Sequence, residues 1–400
     1  MNFIKKISPE SWFKFILGAY LILAVIASIQ SYVQTYEEHP QYTCYNNFVI
    51  FKQSHFHLNQ DKDLYKLYPE EHWDLYKYSP AFSLFFGAFS YFPSILGLNL
   101  WNILNCVVFF LAIYLLPNIR SREKILILIF CIIELMTSLQ NEQSNALVAG
   151  MIILAFGLLE KKNYLLATFL IIASVYIKIF GILAMTLYLL YPNKLKLTLY
   201  SLFWAAILFF IPLLVVDYNQ LKFLYESWIN LLLNDHSMSN GISVMGFLTS
   251  WFSLNINKII IVIIGIILFL IPLFQIKKYQ YYKFRLLALC SILIWVIIFN
   301  HKAESSTFII ALAGIAIWFF ISEKSTFNNI LFIIALIFVS LSPTDIFPNI
   351  LREKFVIPLA LKAVPCIFIW FKILYDMFSS GNTLTQEPSL RGGTTKQSVE

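Results

Sequence analysis

The sequence predicts an all-α polytopic membrane protein, and its composition and the recurrence of apolar blocks support this fold class. Of its 400 residues, 59% are hydrophobic and 13% are charged, and the mean hydropathy is +0.72. Soluble domains carry about 25% charged residues. Each long apolar block must form a helix, because hydrocarbon cannot satisfy an open backbone. Soluble, disordered and disulfide-rich classes are therefore excluded.

Apolar blocks predict a bundle of about twelve membrane-spanning helices. The first, Trp12 to Val33, is too long for a signal-peptide core and no cleavage site follows it, so we interpret it as an uncleaved signal anchor. The others cover 98–117, 124–139, 145–159, 163–178, 180–192, 196–216, 256–275, 286–300, 304–321, 327–341 and 357–376. The block at 80–92 is too short to cross and predicts a re-entrant or interfacial helix.

Two polar segments flank these blocks. The first outer loop, 35–78, has apolar residues at 48, 51, 56 and 58, which predict an amphipathic helix along the membrane interface. The segment 379–400 is rich in Ser, Thr, Gly and charge, and predicts a disordered cytoplasmic tail. The predicted organisation is therefore a transmembrane domain at 1–378 followed by this tail.

The net charge of +7 arises from cations that concentrate in the segments predicted to face the cytoplasm. Cytoplasmic connections of membrane proteins are rich in Lys and Arg. The segments predicted to face the cytoplasm carry 18 cations and 7 acids, a net charge of +11, whereas the rest of the chain has a net charge of −4. Both termini are predicted to be cytoplasmic, in a multi-pass protein of the cell membrane, most simply a bacterial inner membrane. The basic surplus therefore requires no nucleic acid partner.

The polar residues at the outer ends of the spans are candidates for function, because ionisable groups near hydrocarbon are costly. Lys178 lies between Ile177 and Ile179, where a solitary ammonium needs an anionic partner. A phosphate meets this need, and so does a salt bridge to Glu134 or Glu142.

The outer loops combine carboxylates, imidazoles and aromatic rings, a mixture that suits a carbohydrate site. Aromatic rings stack on sugar faces, and carboxylates accept hydrogen bonds from sugar hydroxyls. An aromatic belt with solvated charges is the alternative interpretation. Two further clusters, Asp235 with His236 and His301 with Lys302, offer cations for a departing phosphate, or are ordinary loop caps. The sequence has no P-loop, zinc-binding or nucleophile-elbow motif.

The order of short motifs resembles glycosyltransferase family 87, the polyprenol-phosphate-mannose-type transferases of the GT-C superfamily. The resemblance covers most of residues 10 to 376 and rests on a succession of segments: the signal anchor, then 47–51, 63–65, 78–82, 100–101, 141–145, 176–178, 235–237 and 300–302. It implies a GT-C-like helical membrane enzyme whose active site opens on the outer face. The resemblance also implies a lipid-linked sugar donor and an acceptor from the aqueous side.

One position departs from the family's pattern. Members commonly carry an Asp just before the aromatic stretch that follows the first span, and here that position holds Asn47. An amide cannot accept a proton from an acceptor hydroxyl, so another group must replace it, or the protein binds without catalysing. The possible replacements are His55, Asp61, Asp63, Glu71, Asp74, Glu142 and Asp235.

The resemblance therefore implies transfer of a hexose, with mannose as the expected sugar, from a polyprenyl-phosphate donor to a glycan or glycolipid acceptor on the extracytoplasmic face, with inversion. The predicted partners are this donor, the acceptor and membrane lipids, and no nucleotide, metal or other cofactor is required. The predicted catalytic residues are Asp235, His236, His55 and Asp74, the phosphate-binding residues are Lys178, His301 and Lys302, and the sugar or acceptor contacts are Asn47, Glu142, Asn145 and Tyr78.

Two alternatives share these features. A non-catalytic transporter or flippase of a lipid-linked sugar also needs a phosphate site and aromatic sugar contacts, and the loss of the expected acid favours it. Carriers usually bind near the membrane midplane, however, whereas these polar residues cluster at one face. A ligase or polymerase of surface polysaccharide differs only in its acceptor.

Overall fold

The computed structural model describes residues 8–35, 41–234 and 239–379. Within these residues the protein is helical, and the single β feature is an isolated bridge between Thr35 and Thr43. The all-α prediction is confirmed. Residues 380–400 of the predicted tail lie outside the described part of the chain, as do Asp235 and His236, and Ser379 is the last residue of the final helix.

The first half of the chain forms helices where the apolar blocks and the amphipathic segment predict them. They are α1 (Pro9–Val33), α2 (Asn46–Asn59), α3 (Pro80–Ser90), α4 (Ser94–Tyr114), α5 (Ser121–Phe130), α6 (Ile132–Gln140), α7 (Asn145–Glu160) and α8 (Tyr164–Ile177), followed by the 3₁₀ helix Ile179–Leu190. In α2 the predicted apolar positions Phe48, Phe51 and Leu58 are buried and Phe56 is part-buried, but the polar side chains of Asn46, Ser54, His55 and His57 are buried too, so its amphipathic character stays a prediction. Cys131 interrupts the predicted span 124–139 and separates α5 from α6.

The second half adds helices of more variable length. They are α9 (Lys194–Phe210), α10 (Tyr218–Asn234), α11 (Val244–Phe252), α12 (Lys258–Leu270), α13 (Tyr282–Ile298), α14 (Phe308–Ile321), α15 (Thr326–Ala335), α16 (Asn349–Leu351) and α17 (Ala363–Ser379). The helices α9 and α12 each pass into a 3₁₀ turn at a proline, Pro212 or Pro272. Proline has no N–H to donate and therefore disturbs the α-helical ladder there.

Three helical segments of the described chain are long and apolar enough to cross a bilayer by themselves. They are Pro9–Val33, Ser94–Tyr114 and Lys194–Leu214. The remaining predicted spans correspond to shorter or interrupted helices, such as Asn145–Glu160 and Tyr164–Ile177. A helix of 16 residues is about 24 Å long, which is less than the thickness of a typical hydrocarbon core.

The centre of the bundle consists of α7, α13 and α14, in which most side chains are buried. The helix α7 packs against α4 and α8, while α13 packs against α14 and α17. Gly150 permits the close approach of α7 and α4, because a Cβ there would lie 2.9 Å from the carbonyl oxygen of Val108. Small residues play this role where helices pack in a membrane.

The central helix α7 joins two polar ends of the bundle. At its last residue, Glu160 forms a two-pronged ion pair with Arg285 of α13, with Nε–Oε1 and Nη2–Oε2 distances of 2.6 and 2.7 Å. Both residues belong to the basic side in the sequence-based topology. At its first residue, Asn145 lies beside a polar cavity. The two groups of polar residues that the sequence assigns to opposite faces therefore lie at opposite ends of α7.

Candidate functional site

A cavity of about 360 Å³ lies where five separate parts of the chain meet. These are α2 with the loop after it, the α6–α7 turn, the junction of α8 with the 3₁₀ helix Ile179–Leu190, Leu232 of α10 together with Ser239 and Gly241, and the segment 300–307. The polar and aromatic residues that line it include Asn47, Phe51, Asp74, Lys77, Tyr78, Gln143, Lys178, Phe180, Asn300, Lys302, Glu304 and Thr307.

Lys178 is the central cation of this cavity. It is an extended residue (φ −137°, ψ 118°) between α8 and the 3₁₀ helix, and its N–H donates to the carbonyl oxygen of Ser174. Its Nζ donates to Asn145 Oδ1 at 2.7 Å and to Gln143 Oε1 at 3.2 Å. Among the described residues no carboxylate oxygen lies within 4.0 Å of this ammonium, so two neutral amides hold a charged group.

The alternative salt bridges of Lys178 are not formed. Glu134 pairs instead with Lys362, whose Nζ lies 2.9 Å from both carboxylate oxygens, and both side chains are buried. Glu142 is buried away from Lys178, and its Oε1 has no hydrogen-bond partner within the described chain. Burial raises the pKa of Glu142 well above its usual range. The prediction of a Glu134 or Glu142 partner for Lys178 is therefore wrong.

Tyr78 and Asn145 fix the wall beside Lys178. The Tyr78 ring lies 4.8 Å from the rings of Phe51 and Phe82, and the Lys178 Nζ is 5.9 Å from its centroid. Burial raises the pKa of Tyr78, so its phenol stays protonated and remains a hydrogen-bond donor. Asn145 does not line the cavity, but its Nδ2 donates to the carbonyl oxygen of Ser306 at 2.9 Å. Asn145 thus ties Lys178 to the 300–307 segment.

Two carboxylates line the cavity within the described chain, Asp74 and Glu304. Asp74 pairs with Lys77 at 3.1 Å and accepts a hydrogen bond from the N–H of Leu75 at 2.7 Å. Glu304 is exposed, and its carboxylate has no partner among the residues that the structure describes. Of these two carboxylates, that of Asp74 is therefore already bonded, and that of Glu304 is not.

The predicted site residues divide into those at the cavity and those elsewhere. Asn47, Asp74, Tyr78, Lys178 and Lys302 line it, although the Asn47 amide is committed to the carbonyl oxygen of Asn141 at 2.9 Å. His301 lies between two lining residues without lining the cavity itself.

His55 lies outside the cavity. Its Nδ1 is 3.2 Å from the carbonyl oxygen of Ser83, its Nε2 is 3.2 Å from the Tyr91 hydroxyl, and burial lowers its pKa. It packs α2 onto α3. Asp235 and His236 lie outside the described residues.

The candidate list from the sequence omits Gln143 and Glu304. Both lie within two residues of listed positions, in the outer-end segments 141–145 and 300–304. Their proximity to Lys178 arises only from the packing of α7 against α8 and of the 300–307 segment against α7. Among the described residues, no three His, Cys, Asp or Glu side chains come together as a metal site would require.

Comparison with known proteins identifies a family. A family model described as glycosyltransferase family 87 matches residues 76–343, which is 268 of the 400 residues. The match contains Tyr78, Gln143, Lys178 and Glu304, and it begins after Asn47 and Asp74. No curated protein matches the chain.

Proposed function

The chain belongs to glycosyltransferase family 87, and we propose that it transfers a hexose, with mannose as the expected sugar, from a polyprenyl-phosphate donor to a glycan or glycolipid acceptor. The family and the apolar helices make it a membrane glycosyltransferase. The proposal adds the donor class, inversion at the anomeric carbon and an acceptor on the extracytoplasmic face.

The observation that carries the proposal is the ammonium of Lys178. It lines the cavity and is held by the amide oxygens of Gln143 and Asn145, which orient it without neutralising it. A part-buried charge of this kind gains strongly from an anion. The phosphate of a lipid-linked sugar supplies that anion, and Lys302 lines the same cavity as a second cation.

The remaining lining residues suit the sugar and its acceptor. Tyr78 and Phe180 are part-buried and offer ring surface, while the amides of Gln143 and Asn300 donate and accept hydrogen bonds with sugar hydroxyls. As the bond between the anomeric carbon and the phosphate oxygen breaks, negative charge grows on the phosphate. Cations already positioned there stabilise that charge more in the transition state than in the ground state.

The proposal includes an orientation in the membrane. We place the cavity on the extracytoplasmic side, the Glu160–Arg285 end and both termini in the cytoplasm, and about twelve crossings in a bacterial inner membrane. The net charge of +11 on the predicted cytoplasmic segments supports this orientation. With Cys44→Ser as background, we expect a membrane-impermeant maleimide to label Lys66→Cys in intact cells, and Lys277→Cys only after permeabilisation. The reverse pattern would contradict the orientation.

The test of function uses the full-length protein in vesicles with radiolabelled polyprenyl-phosphate hexoses and candidate acceptors. We expect a new glycosidic product from wild type, and at least a hundredfold less product from Lys178→Met. Lys196→Met removes the same charge in the first turn of α9, outside the cavity, and we expect it to behave as wild type.

The second candidate is a carrier of a lipid-linked sugar. The amide at Asn47, where the family commonly has an acid, favours it. In the same vesicles a carrier would move label across the bilayer without forming a glycosidic bond. That outcome would overturn the transferase proposal while leaving the Lys178 phosphate site intact.

A further inference from the structure

We propose that Glu304 is the proton acceptor of the transfer reaction, in place of the acid that Asn47 does not supply. The inference rests on the proposed function, because it assumes that a hydroxyl attacks the donor in this cavity. Transfer to a hydroxyl needs a group that takes its proton as the new bond forms. The structure narrows the choice of that group.

Most of the residues that could replace the acid missing at Asn47 either lie outside the cavity or already bond to other groups. Among those in the described chain, Asp74 alone lines the cavity. Its carboxylate bonds to the Lys77 ammonium at 3.1 and 3.3 Å through its two oxygens, and one of them also accepts from the N–H of Leu75. Both oxygens of Asp74 are therefore already engaged, whereas those of Glu304 are not.

Glu304 shows the opposite arrangement, with a fixed backbone and a free carboxylate. Its carbonyl oxygen accepts from the N–H and the Oγ1 of Thr307 at 3.0 and 2.7 Å. The next residue, Ser305, is bound by Lys362 through both its carbonyl oxygen and its hydroxyl, at 3.0 and 2.8 Å. Within the described chain no donor or cation bonds to the side chain of Glu304, and this residue lines the cavity.

Lys178 and Glu304 bring opposite charges to one cavity, which is what an inverting displacement needs. The Glu304 carboxylate interacts electrostatically with Lys178 and Tyr78, yet it forms no ion pair with Lys178. Lys178 therefore remains available to a phosphate while Glu304 remains available to a hydroxyl. In an inverting reaction the attacking and leaving oxygens lie on opposite sides of the anomeric carbon, so the two roles need two separate groups in one cavity.

The step balances with these groups alone. The acceptor oxygen forms a bond to the anomeric carbon, and its proton passes to the Glu304 carboxylate. The bond between the anomeric carbon and the phosphate oxygen breaks, and the electron pair leaves with the polyprenyl phosphate beside Lys178. Glu304 then returns its proton to water.

The experiment compares Glu304→Gln and Glu304→Ala with wild type in the vesicle transfer assay, together with equilibrium binding of the donor. We expect donor binding within threefold of wild type and a kcat lower by about 10²- to 10⁴-fold, the usual contribution of a general base. Added formate, a small carboxylate that fits the space left by Ala, should restore activity to Glu304→Ala and have no effect on wild type. Glu323→Gln, an exposed glutamate outside the cavity, is the matched control.

Three outcomes would overturn the proposal. The first is a Glu304→Gln protein with wild-type kcat. The second is a loss of kcat in Glu304→Ala that formate does not restore. The third is formate rescue of Asp74→Ala or Asp235→Ala with Glu304→Gln fully active, which would assign the role to that residue. Absence of transfer by wild type with donor still bound would instead refute the proposed function itself.

Discussion

The Lys178 ammonium shows how a charge can be kept ready for a ligand. Two unit charges 4 Å apart interact by about 4 kcal/mol at the effective dielectric typical of a protein surface, which is more than an amide dipole offers. Asn145 and Gln143 provide hydrogen bonds at 2.7 and 3.2 Å and no charge. A phosphate could therefore pair with the Lys178 ammonium without first displacing an internal carboxylate.

The first prediction is that Gln143→Glu weakens donor binding. This change is nearly isosteric and places a carboxylate about where the amide oxygen now lies, 3.2 Å from the Lys178 Nζ. The internal ion pair would compete with the donor phosphate, so we expect the KM for the donor to rise at least tenfold, about 1.4 kcal/mol. Steady-state kinetics at saturating acceptor measures this.

The control for that prediction is Gln140→Glu, which adds the same charge at an exposed residue outside the cavity. An equal rise of the donor KM in both variants would mean that overall charge, not the Lys178 site, determines the effect. An unchanged donor KM in Gln143→Glu would show that the donor phosphate does not bind next to Lys178.

The second prediction concerns the outer segment around His57. Its Nε2 lies 3.0 Å from Glu71 Oε2, yet burial outweighs this carboxylate and lowers the pKa of His57 below its usual 6.5. Burial also lowers the pKa of His72. Because the unfolded chain binds these protons more readily, the contribution to stability is complete above pH about 6.5 and is lost as the pH falls below it. We expect the thermal unfolding midpoint to decrease between pH 7.5 and 5.5.

Tryptophan fluorescence in detergent follows this unfolding, since Trp73 lies next to His72. In His57→Gln the decrease with falling pH should be smaller than in wild type. A midpoint that rises as the pH falls, or an identical slope in the variant, would show that these imidazoles are not held neutral.

Among the secondary-structure elements, the 3₁₀ helix Ile179–Leu190 is unusual in its length of 12 residues. Such helices seldom exceed four residues, and side chains three apart in them lie on one face. Gly181, Ala184, Leu187 and Leu190 are accordingly all buried. The helix begins directly after Lys178, whose carbonyl oxygen accepts from the N–H of Gly181 at 2.8 Å. The packing of this face therefore positions the Lys178 backbone.

The third prediction is that Gly181→Ala destabilises the protein and weakens donor binding. A Cβ at this position would lie 2.5 Å from the Ser174 Oγ and 2.9 Å from its carbonyl carbon, so the helix must move. Overpacking of this kind costs typically about 1 to 3 kcal/mol. The midpoint temperature of thermal unfolding and the affinity for the donor should both decrease.

Gly18→Ala provides the comparison, because a Cβ at Gly18 in α1 meets nothing within 4 Å. There the helix propensity of Ala should stabilise by about 0.5 to 1 kcal/mol. If both glycine variants behaved alike, the close contact with Ser174 would not be important for stability.

The ion pair of Glu134 and Lys362 connects α6 to the segment before α17 and to Ser305 of the cavity segment. Removing one partner leaves a buried, uncompensated charge, at a cost of about 3 to 5 kcal/mol. The fourth prediction is therefore that Glu134→Leu and Lys362→Met each destabilise strongly, whereas the double variant is more stable than either. Unfolding in denaturant measures all three, and strictly additive losses would contradict the coupling.

At the scale of the whole molecule, the helices could be predicted from the sequence and the site only in part. Apolar blocks marked the segments that became α1, α4, α7 and α14, because each helix must bury or expose hydrocarbon along its whole length. The helix α10 was not predicted, because its sequence is amphipathic and does not form a continuous apolar block. Leu221 and Leu224 are buried, while its charged residues are exposed.

The site depends on contacts between distant parts of the chain. Tyr78, Gln143, Lys178 and Glu304 belong to four segments, and no local pattern encodes which of them meet. The sequence predicted that Lys178 needs an anion, because that follows from its two apolar neighbours. It left the partner of Glu134 open, because Lys362 lies 228 residues away and only packing brings the two together.

We propose that the cavity at one end of the bundle binds the phosphate of a lipid-linked sugar through Lys178. Equilibrium binding of a radiolabelled polyprenyl-phosphate hexose to the full-length protein in vesicles measures this interaction. We predict that Lys178→Met raises the Kd at least tenfold, that Lys178→Arg raises it less, and that Lys196→Met leaves it unchanged. Equal affinity of folded wild type and Lys178→Met would contradict the claim.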